Sequence, residues 1–328
     1  MASGHEGGCL CGAVRYQVAP HRGNGYHCHC TACQKMTGAS YLVEHCFAPE
    51  AFELLAGTPK VHAHVSGGSG KQVYIHFCAN CGTKLYLTFE RWTETLNIFS
   101  GTLDDPAVLD FSPETIRQIF VDRAPGGTLI PPGYETFSGH CDPADGSIAL
   151  PVVFEETLLV GGSISGDVGP HVGGCLCGDV RYEARSDPSL IVICHCEFCR
   201  KALGGAPNFQ CLFPPQDVTV TSGRPATYAQ SSTGGGKMVQ LNFCTRCGGG
   251  LWLASQSFAE VAVFRGTLDQ PNRIMPAREN TTQIFSDSAM PSSMIVAGVP
   301  TYRGASMQDG RSADARVFEN HRLARAAR

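Results

Sequence analysis

Several things are scarce in this chain, and each absence narrows what it is. Residues 1–9 are polar and glycine-rich and carry no apolar core of the kind a secretory signal requires. No run approaches 18 apolar residues, so no membrane-spanning helix is expected. Charge of one sign is not in excess. A net charge of −4 and a pI near 6.3 supply no surface for nucleic acid or another polyanion. Long amphipathic stripes are missing as well, while 38 glycines and 20 prolines in 328 residues point to many turns and short strands. The expectation is a cytoplasmic, mainly β protein with neither a nucleic-acid nor a membrane partner. Its length suits two domains, each able to bury a core. Oligomeric state is not legible.

Cysteine is abundant. Seventeen of them without an export signal argue against a disulfide framework, and the odd number leaves one thiol over in any fully paired scheme. Their grouping into CxC and CxxC clusters predicts metal thiolates.

The clusters repeat. Cys9-Leu10-Cys11-Gly12 recurs as Cys175-Leu176-Cys177-Gly178, with Val14-Arg15-Tyr16 recurring as Val180-Arg181-Tyr182. Cys28-His29-Cys30-x-x-Cys33 recurs as Cys194-His195-Cys196-x-x-Cys199, and Cys78-x-x-Cys81-Gly82 as Cys244-x-x-Cys247-Gly248. All seven cysteine pairs are offset by 166 positions, whereas Gly101-Thr-Leu-Asp104 and Gln118-Ile-Phe120 recur 165 positions on, at Gly266 and Gln283. This is a domain duplication. The expected division is residues 1–160, a Gly/Ser-rich linker over 161–171, a second domain over 172–310, and a polar tail over 311–328 that frays or forms a short helix. Alternation of Val73, Ile75 and Phe77 with Tyr74 and His76, and its copy through Val239, Leu241 and Phe243, predicts a half-buried strand entering the second cysteine knuckle. Short strands are expected also at 14–18, 41–47, 84–87 and 96–100.

Seven cysteines per copy divide into four plus three, because structural zinc takes four ligands and catalytic zinc keeps an open position. Cys28, Cys30 and Cys33 lie close enough in sequence to wrap one ion, as do Cys194, Cys196 and Cys199. Cys9 and Cys11 with Cys78 and Cys81 make a closed site resembling a zinc ribbon, and Cys175, Cys177, Cys244 and Cys247 another. Gly12 and Gly82 are expected at positive φ in the knuckles. Cys46 and Cys211 fall one residue out of register, which turns strand side chains to opposite faces, so both are expected as buried thiols. Cys141 has no counterpart. His29 and His195, between two ligands, are expected as packing or hydrogen-bonding groups. A three-thiolate zinc carries a formal charge of 2 − 3 = −1 and favours a soft fourth ligand, a thiol held as thiolate. Lys35 and Lys201 are candidate anchors for that thiol's carboxylates, with Lys71 and Lys237 as further matched cations. No general base stands out; turn and cap roles explain Asp104, Asp122, Asp269 and Asp287 equally well.

Gly-x-Cys-x-Cys-Gly-x-Val-Arg-Tyr, then Cys-His-Cys-x-x-Cys-(Gln/Arg)-Lys, then Phe-Cys-x-x-Cys-Gly, then Gly-Thr-Leu-Asp resembles the glutathione-dependent formaldehyde-activating enzyme family, which includes centromere protein V. The resemblance runs through both copies. It implies two tandem Mss4-like zinc-binding β domains with two zinc ions each, four per chain. It implies structural roles for the four-cysteine sets and catalytic roles for Cys28, Cys30, Cys33, Cys194, Cys196 and Cys199. The implied activity is that of a carbon–sulfur lyase joining glutathione, as co-substrate, to formaldehyde or a related electrophile. Gln118, Gln283 and Gly126 depart from the family pattern at positions able to shape the pocket. The alternative is a non-catalytic zinc module that binds a protein partner.

Overall fold

The computed structural model describes residues 4–20, 23–162, 169–231, 236–308 and 311–324. The first copy runs β1 (His5–Gly8), β2 (Arg15–Val18), β3 (Gly25–Cys28), α1 (Thr31–Thr37), β4 (Leu42–Phe47), β5 (Phe52–Ala56) and β6 (Lys60–Val65). It continues with β7 (Gln72–Phe77), β8 (Lys84–Phe89), β9 (Leu96–Phe99), β10 (Ile116–Ile119), β11 (Leu129–Ile130) and β12 (Leu158–Leu159). The second repeats this as β13 (His171–Gly174), β14 (Arg181–Ala184), β15 (Leu190–Cys194), α2 (Glu197–Leu203), β16 (Asn208–Phe213), β17 (Val218–Ser222) and β18 (Ala226–Ser231). There follow β19 (Met238–Phe243), β20 (Gly250–Ser255), β21 (Val261–Phe264), β22 (Thr281–Ile284), β23 (Met294–Ile295), β24 (Met307–Gln308), β25 (Arg311–Ser312) and β26 (Arg322–Leu323).

Each copy holds a three-stranded and a seven-stranded sheet. The large sheets order as β10-β3-β4-β9-β8-β7-β6 and, matching it, β22-β15-β16-β21-β20-β19-β18. Only β10 on β3 and β22 on β15 pair in parallel within these sheets. The fold is mainly β, two tandem domains of one type. Among the described residues no helix is long and apolar enough to cross a membrane.

Ile75 and Phe77 on β7 are buried while Tyr74 and His76 are half-buried, as alternation predicts. The two helices are only seven residues long, and both ends are capped. The Cys30 sulfur accepts from the Cys33 amide at one end, and Gly38 closes the other at φ +87°. Cys196 and Gly204 do the same for α2.

One expectation is overturned. The tail from Arg311 to Ala324 neither frays nor forms a helix: β26 pairs with β23, β25 with β24, and Arg316 bridges to Thr301. It repeats what β12 and Val152 do in the first copy, against β11 and Thr136. The polar composition misled because a short strand on a domain surface buries little. Residues 163–168 of the expected linker and 325–328 of the tail lie outside the described residues.

The copies pack reciprocally. Gly101 N–H donates to the Gly204 carbonyl (3.1 Å), and its counterpart Gly266 N–H donates to Gly38 (3.0 Å). The knuckle glycines Gly82 and Gly248 lie so close to Phe243 and Phe77 that an added Cβ would stand 2.5 and 2.6 Å from the rings. Each contact occurs twice with the roles exchanged, which is the self-complementary geometry of a twofold dimer built into one chain.

Candidate metal centres

The CxC knuckles are the turns of the β1–β2 and β13–β14 hairpins, and the CxxC knuckles those of β7–β8 and β19–β20. In the first, Gly12 N–H donates to the Cys9 carbonyl (3.1 Å); in the second, Gly82 N–H donates to Cys78 (2.9 Å). Both glycines have positive φ, +76° and +72°. Leu10 N–H donates to Thr83 Oγ1 (3.2 Å), joining one knuckle to the other. Cys9, Cys11, Cys78 and Cys81 thereby bring four sulfurs within 4.8 Å of one another, and Cys175, Cys177, Cys244 and Cys247 do likewise. Neighbouring sulfurs lie 3.4 and 3.7 Å apart in the first copy, and 3.5 and 3.7 Å in the second. Four sulfurs about 2.3 Å from a shared tetrahedral zinc stand about 3.8 Å apart. All are free thiols, far beyond disulfide bonding distance. A soft tetrahedral cation fits.

The second cluster of each copy sits where a strand meets a helix. β3 ends in Cys28, Cys30 caps α1, and Cys33 lies in its first turn, so the three sulfurs converge within 4.8 Å. Cys194, Cys196 and Cys199 repeat this. Contacts from Cys28 and Cys33 hold the Cys30 thiol far below its ordinary pKa, and the contact with Cys30, together with burial, pushes Cys28 up. Cys196 and Cys194 behave alike. Among the described residues no fourth His, Cys, Asp or Glu atom joins either group. Cys46 is half-buried at the far end of β4 and Cys211 is fully buried. Cys141 lies near Tyr26 and Cys46 instead.

What surrounds the three sulfurs differs between copies. Around the first, His29 Nε2 meets Gln118 Oε1 at 3.0 Å, the Gln118 amide donates to His27 Nδ1 at 3.1 Å, and His27 Nε2 meets Ser292 Oγ at 3.0 Å. Burial drives the pKa of His27 down to about 3 and that of His29 to about 4, so both are neutral. The Tyr41 ring lies against both imidazoles. Glu44 is buried on the face of β4 that carries Leu42, the residue opposite Cys28. Desolvation pushes its carboxyl up to about 7. Around the second cluster the same positions carry amides: Asn208 and Gln210 donate to Cys199 Sγ at 3.6 and 3.4 Å. Ile193 and Pro207 replace His27 and Tyr41, leaving a cavity of about 10 Å³ beside His195, room for a single water.

None of Glu44, His27, Asn208, Gln210 or Ser292 stood out in the sequence. Glu44 and Gln210 are reachable from it by pleat parity alone, since alternate residues of the strand beside Cys28 share its face.

The lysines lie at the junction. Lys35 Nζ donates to Asp269 and to the Thr267 carbonyl, and Lys201 Nζ to Asp104 at 2.8 Å, each in the other copy. The same aspartates accept from Arg181 and Arg15 of their own copies. The charges expected to anchor a thiol's carboxylates are thus already balanced within the protein. Lys71 pairs with Glu90. Arg200, beside the second cluster, is buried and donates to the Gly101 and Leu103 carbonyls of the first copy, 2.7 Å each. Gly126 also serves the junction, accepting from Arg265 (2.8 Å) and donating to Asn272 (2.7 Å).

Two interlocked β domains each carry a four-thiol and a three-thiol cluster able to hold a metal ion. The chain belongs to the glutathione-dependent formaldehyde-activating enzyme family, whose sequence model matches residues 4–123 and 170–287. A protein of Halomonas elongata named "Putative glutathione-dependent formaldehyde-activating enzyme" is 31% identical over 107 residues, which are 30% of this chain and 65% of that protein. A crystal structure of a Rhodobacter sphaeroides protein is 19% identical with a TM-score of 0.26, covering 30% of this chain and 87% of that one.

Proposed function

We propose that the protein is a zinc-dependent carbon–sulfur lyase or synthase acting on glutathione or a glutathione adduct, with four zinc ions per chain. The observation that carries this reading is the division of fourteen thiols into two groups of four and two of three. A scaffold needs only the groups of four. In this reading Cys9, Cys11, Cys78 and Cys81, with Cys175, Cys177, Cys244 and Cys247, hold structural ions. Cys28, Cys30 and Cys33, with Cys194, Cys196 and Cys199, hold ions with a free position.

A zinc ion in such a set supplies a soft, open coordination position suited to sulfur. The residues around it do the rest. Joining a thiol to formaldehyde forms one carbon–sulfur bond, opens the carbonyl π bond, and moves the thiol proton to the oxygen. Buried Glu44, on the sheet face that carries Cys28, is the group to hold that proton, and Ile75, Leu87 and Phe137 pack in one apolar cluster with Cys28 and Cys33. Lys35 and Lys201 hold the copies together, so that both clusters keep their geometry.

Metal analysis and turnover test the reading together. Protein prepared without chelator should hold four zinc ions, and glutathione with an aldehyde should give the S-hydroxyalkyl adduct. Saturation at two ions would remove the three-thiol sites. Full loading with glutathione binding but no turnover on any aldehyde would replace the enzyme by a binding module.

A further inference from the structure

Three described residues other than glycine have positive φ: Phe120, Phe285 and Ser292. Phe120 and Phe285 are counterparts, each φ +58°, and belong to the duplicated fold. Ser292 has no such explanation. Its counterpart in the first copy is Gly127, at φ +83°, and glycine adopts that region freely where serine does not. A side chain kept in an unfavourable backbone conformation asks what the side chain does.

Its hydroxyl is buried against the other copy, 3.0 Å from His27 Nε2. From there a hydrogen-bonded series runs through Gln118 to His29. The Gln118 amide N–H donates to His27 Nδ1, so the His27 proton is on Nε2 and points at Ser292. The Gln118 carbonyl accepts from His29 Nε2, which leaves His29 Nδ1 unprotonated, buried and without a partner. The His29 backbone lies between Cys28 and Cys30 and is held on both sides. Its N–H donates to the Ile119 carbonyl (2.9 Å), and its carbonyl accepts from Gln34 Nε2 (2.6 Å). Orientation imposed at Ser292 therefore reaches the peptide that carries two of the three sulfurs.

Among the described residues the second copy has no such series. Ile193 replaces His27, Gly127 offers no hydroxyl from across the junction, and Gln283 donates to the Val296 carbonyl and to Thr301 Oγ1. We propose that Ser292 is a positioning residue for the first copy's three-cysteine site, acting through His27 and Gln118 on His29. The second copy thereby completes the first copy's site, while Gly127 gives the second copy no corresponding hydroxyl. This rests on the reading above that the three-cysteine cluster is the working site.

The test uses the full chain in three forms: unmodified, Ser292→Gly, which removes both hydroxyl and strain, and Ser292→Ala, which removes the hydroxyl alone. Long-range proton–nitrogen spectra of the histidine rings should show Nε2-protonated His27 and His29 in the unmodified protein. Both variants should lose the protected His27 signal and shift the His29 nitrogens. In cobalt-substituted protein, the glutathione concentration that half-completes the spectral change at the first site should rise on the order of tenfold. Ser292→Gly should melt no lower than the unmodified chain, which separates positioning from a structural role. Unchanged histidine spectra and an unchanged glutathione midpoint in both variants would overturn the proposal. Should glutathione leave the unmodified cobalt protein's spectrum unchanged, the function proposed above falls, and the histidine spectra alone decide the case for Ser292.

Discussion

The two copies hold seven cysteines in one register and surround three of them with different chemistry. In the first, a carboxyl, two neutral imidazoles and a tyrosine ring border the three-sulfur cluster. In the second, two amides donate to one sulfur, and a proline with a one-water cavity takes the tyrosine's place. Ligand geometry survives duplication because it is written into local turns. The surroundings, on strands β4 and β16, are free to diverge. Hydrogen bonds to a metal-bound thiolate draw off electron density, which would make Cys199 a weaker donor than Cys33. On the function proposed above, the comparison points to the first copy as the working site.

The largest expected effect breaks the symmetry of the closed sites. Cys78→Ser removes one ligand from a site of a kind that contributes on the order of 10 kcal/mol to folding. Because the Cys78–Cys81 knuckle packs on Phe243, the loss should lower the melting of both copies together in a single transition. Cys30→Ser should leave most of the fold intact. Circular dichroism with metal analysis on the two variants checks this, and equal collapse would erase the distinction between the clusters.

Next in size is the junction itself. Gly82→Val places a branched side chain at φ +72° and against the Phe243 ring, two costs that add to roughly 3 kcal/mol or more. Gly12→Val has the strained φ without a neighbour within 4 Å and should lose about half as much. Thermal melting of the pair separates backbone strain from junction packing.

The comparison of surroundings is sharpened by exchange. Glu44→Gln gives the first cluster the second's amide at equal volume, and should cut turnover on the order of a hundredfold while leaving metal content unchanged. Gln210→Glu should add little, because Ile193 and Pro207 stand there in place of His27 and Tyr41. Equal effects from the two exchanges would mean that the copies share the reaction.

How much of this was legible beforehand follows from the range of each interaction. The cysteine sets, their knuckle glycines and the strand ending at Phe77 depend on spacings of a few residues, and the chain spells those out. The partition into four and three followed from counting. Lys35 and Lys201 were visible as matched cations, but what an ammonium faces is set by another domain's surface, and a single sequence does not record it. The same holds for Gly126 and Gln118: each departure from the family pattern was visible, while its partners, Arg265 and Asn272 or His27 and His29, lay far along the chain. Residues 311–324 were misread because a two-residue strand has no period to detect.

The smallest expected effect concerns the paired charge clusters at the junction, which the twofold geometry makes alike apart from the Arg15–Glu6 pair, whose counterpart position holds Val172. Arg15 donates to Asp104 and Lys201 reaches it from the other copy; Arg181 and Lys35 treat Asp269 in the same way. Arg15, with Lys201, lowers the Asp104 carboxyl from 3.8 to about 2, and Asp269 is also lowered, by Arg181 and Lys35 against the opposing effect of burial. A folded-state pKa below the unfolded value means that the stabilisation is complete above about pH 4. It is lost as the pH falls through about 2, because the unfolded carboxylate takes up its proton first. Both aspartates are more than a third exposed, at 44% and 39%, so solvent screening limits each cluster to about 1 kcal/mol or less. Asp104→Asn and Asp269→Asn should therefore lower stability at neutral pH by small and equal amounts, and flatten its dependence on pH between about 4 and 2. Urea unfolding at a series of acid pH values, with metal content followed in parallel, measures both. Unequal losses would show that the charge clusters, like the surroundings of the three-cysteine sites, have diverged between the copies.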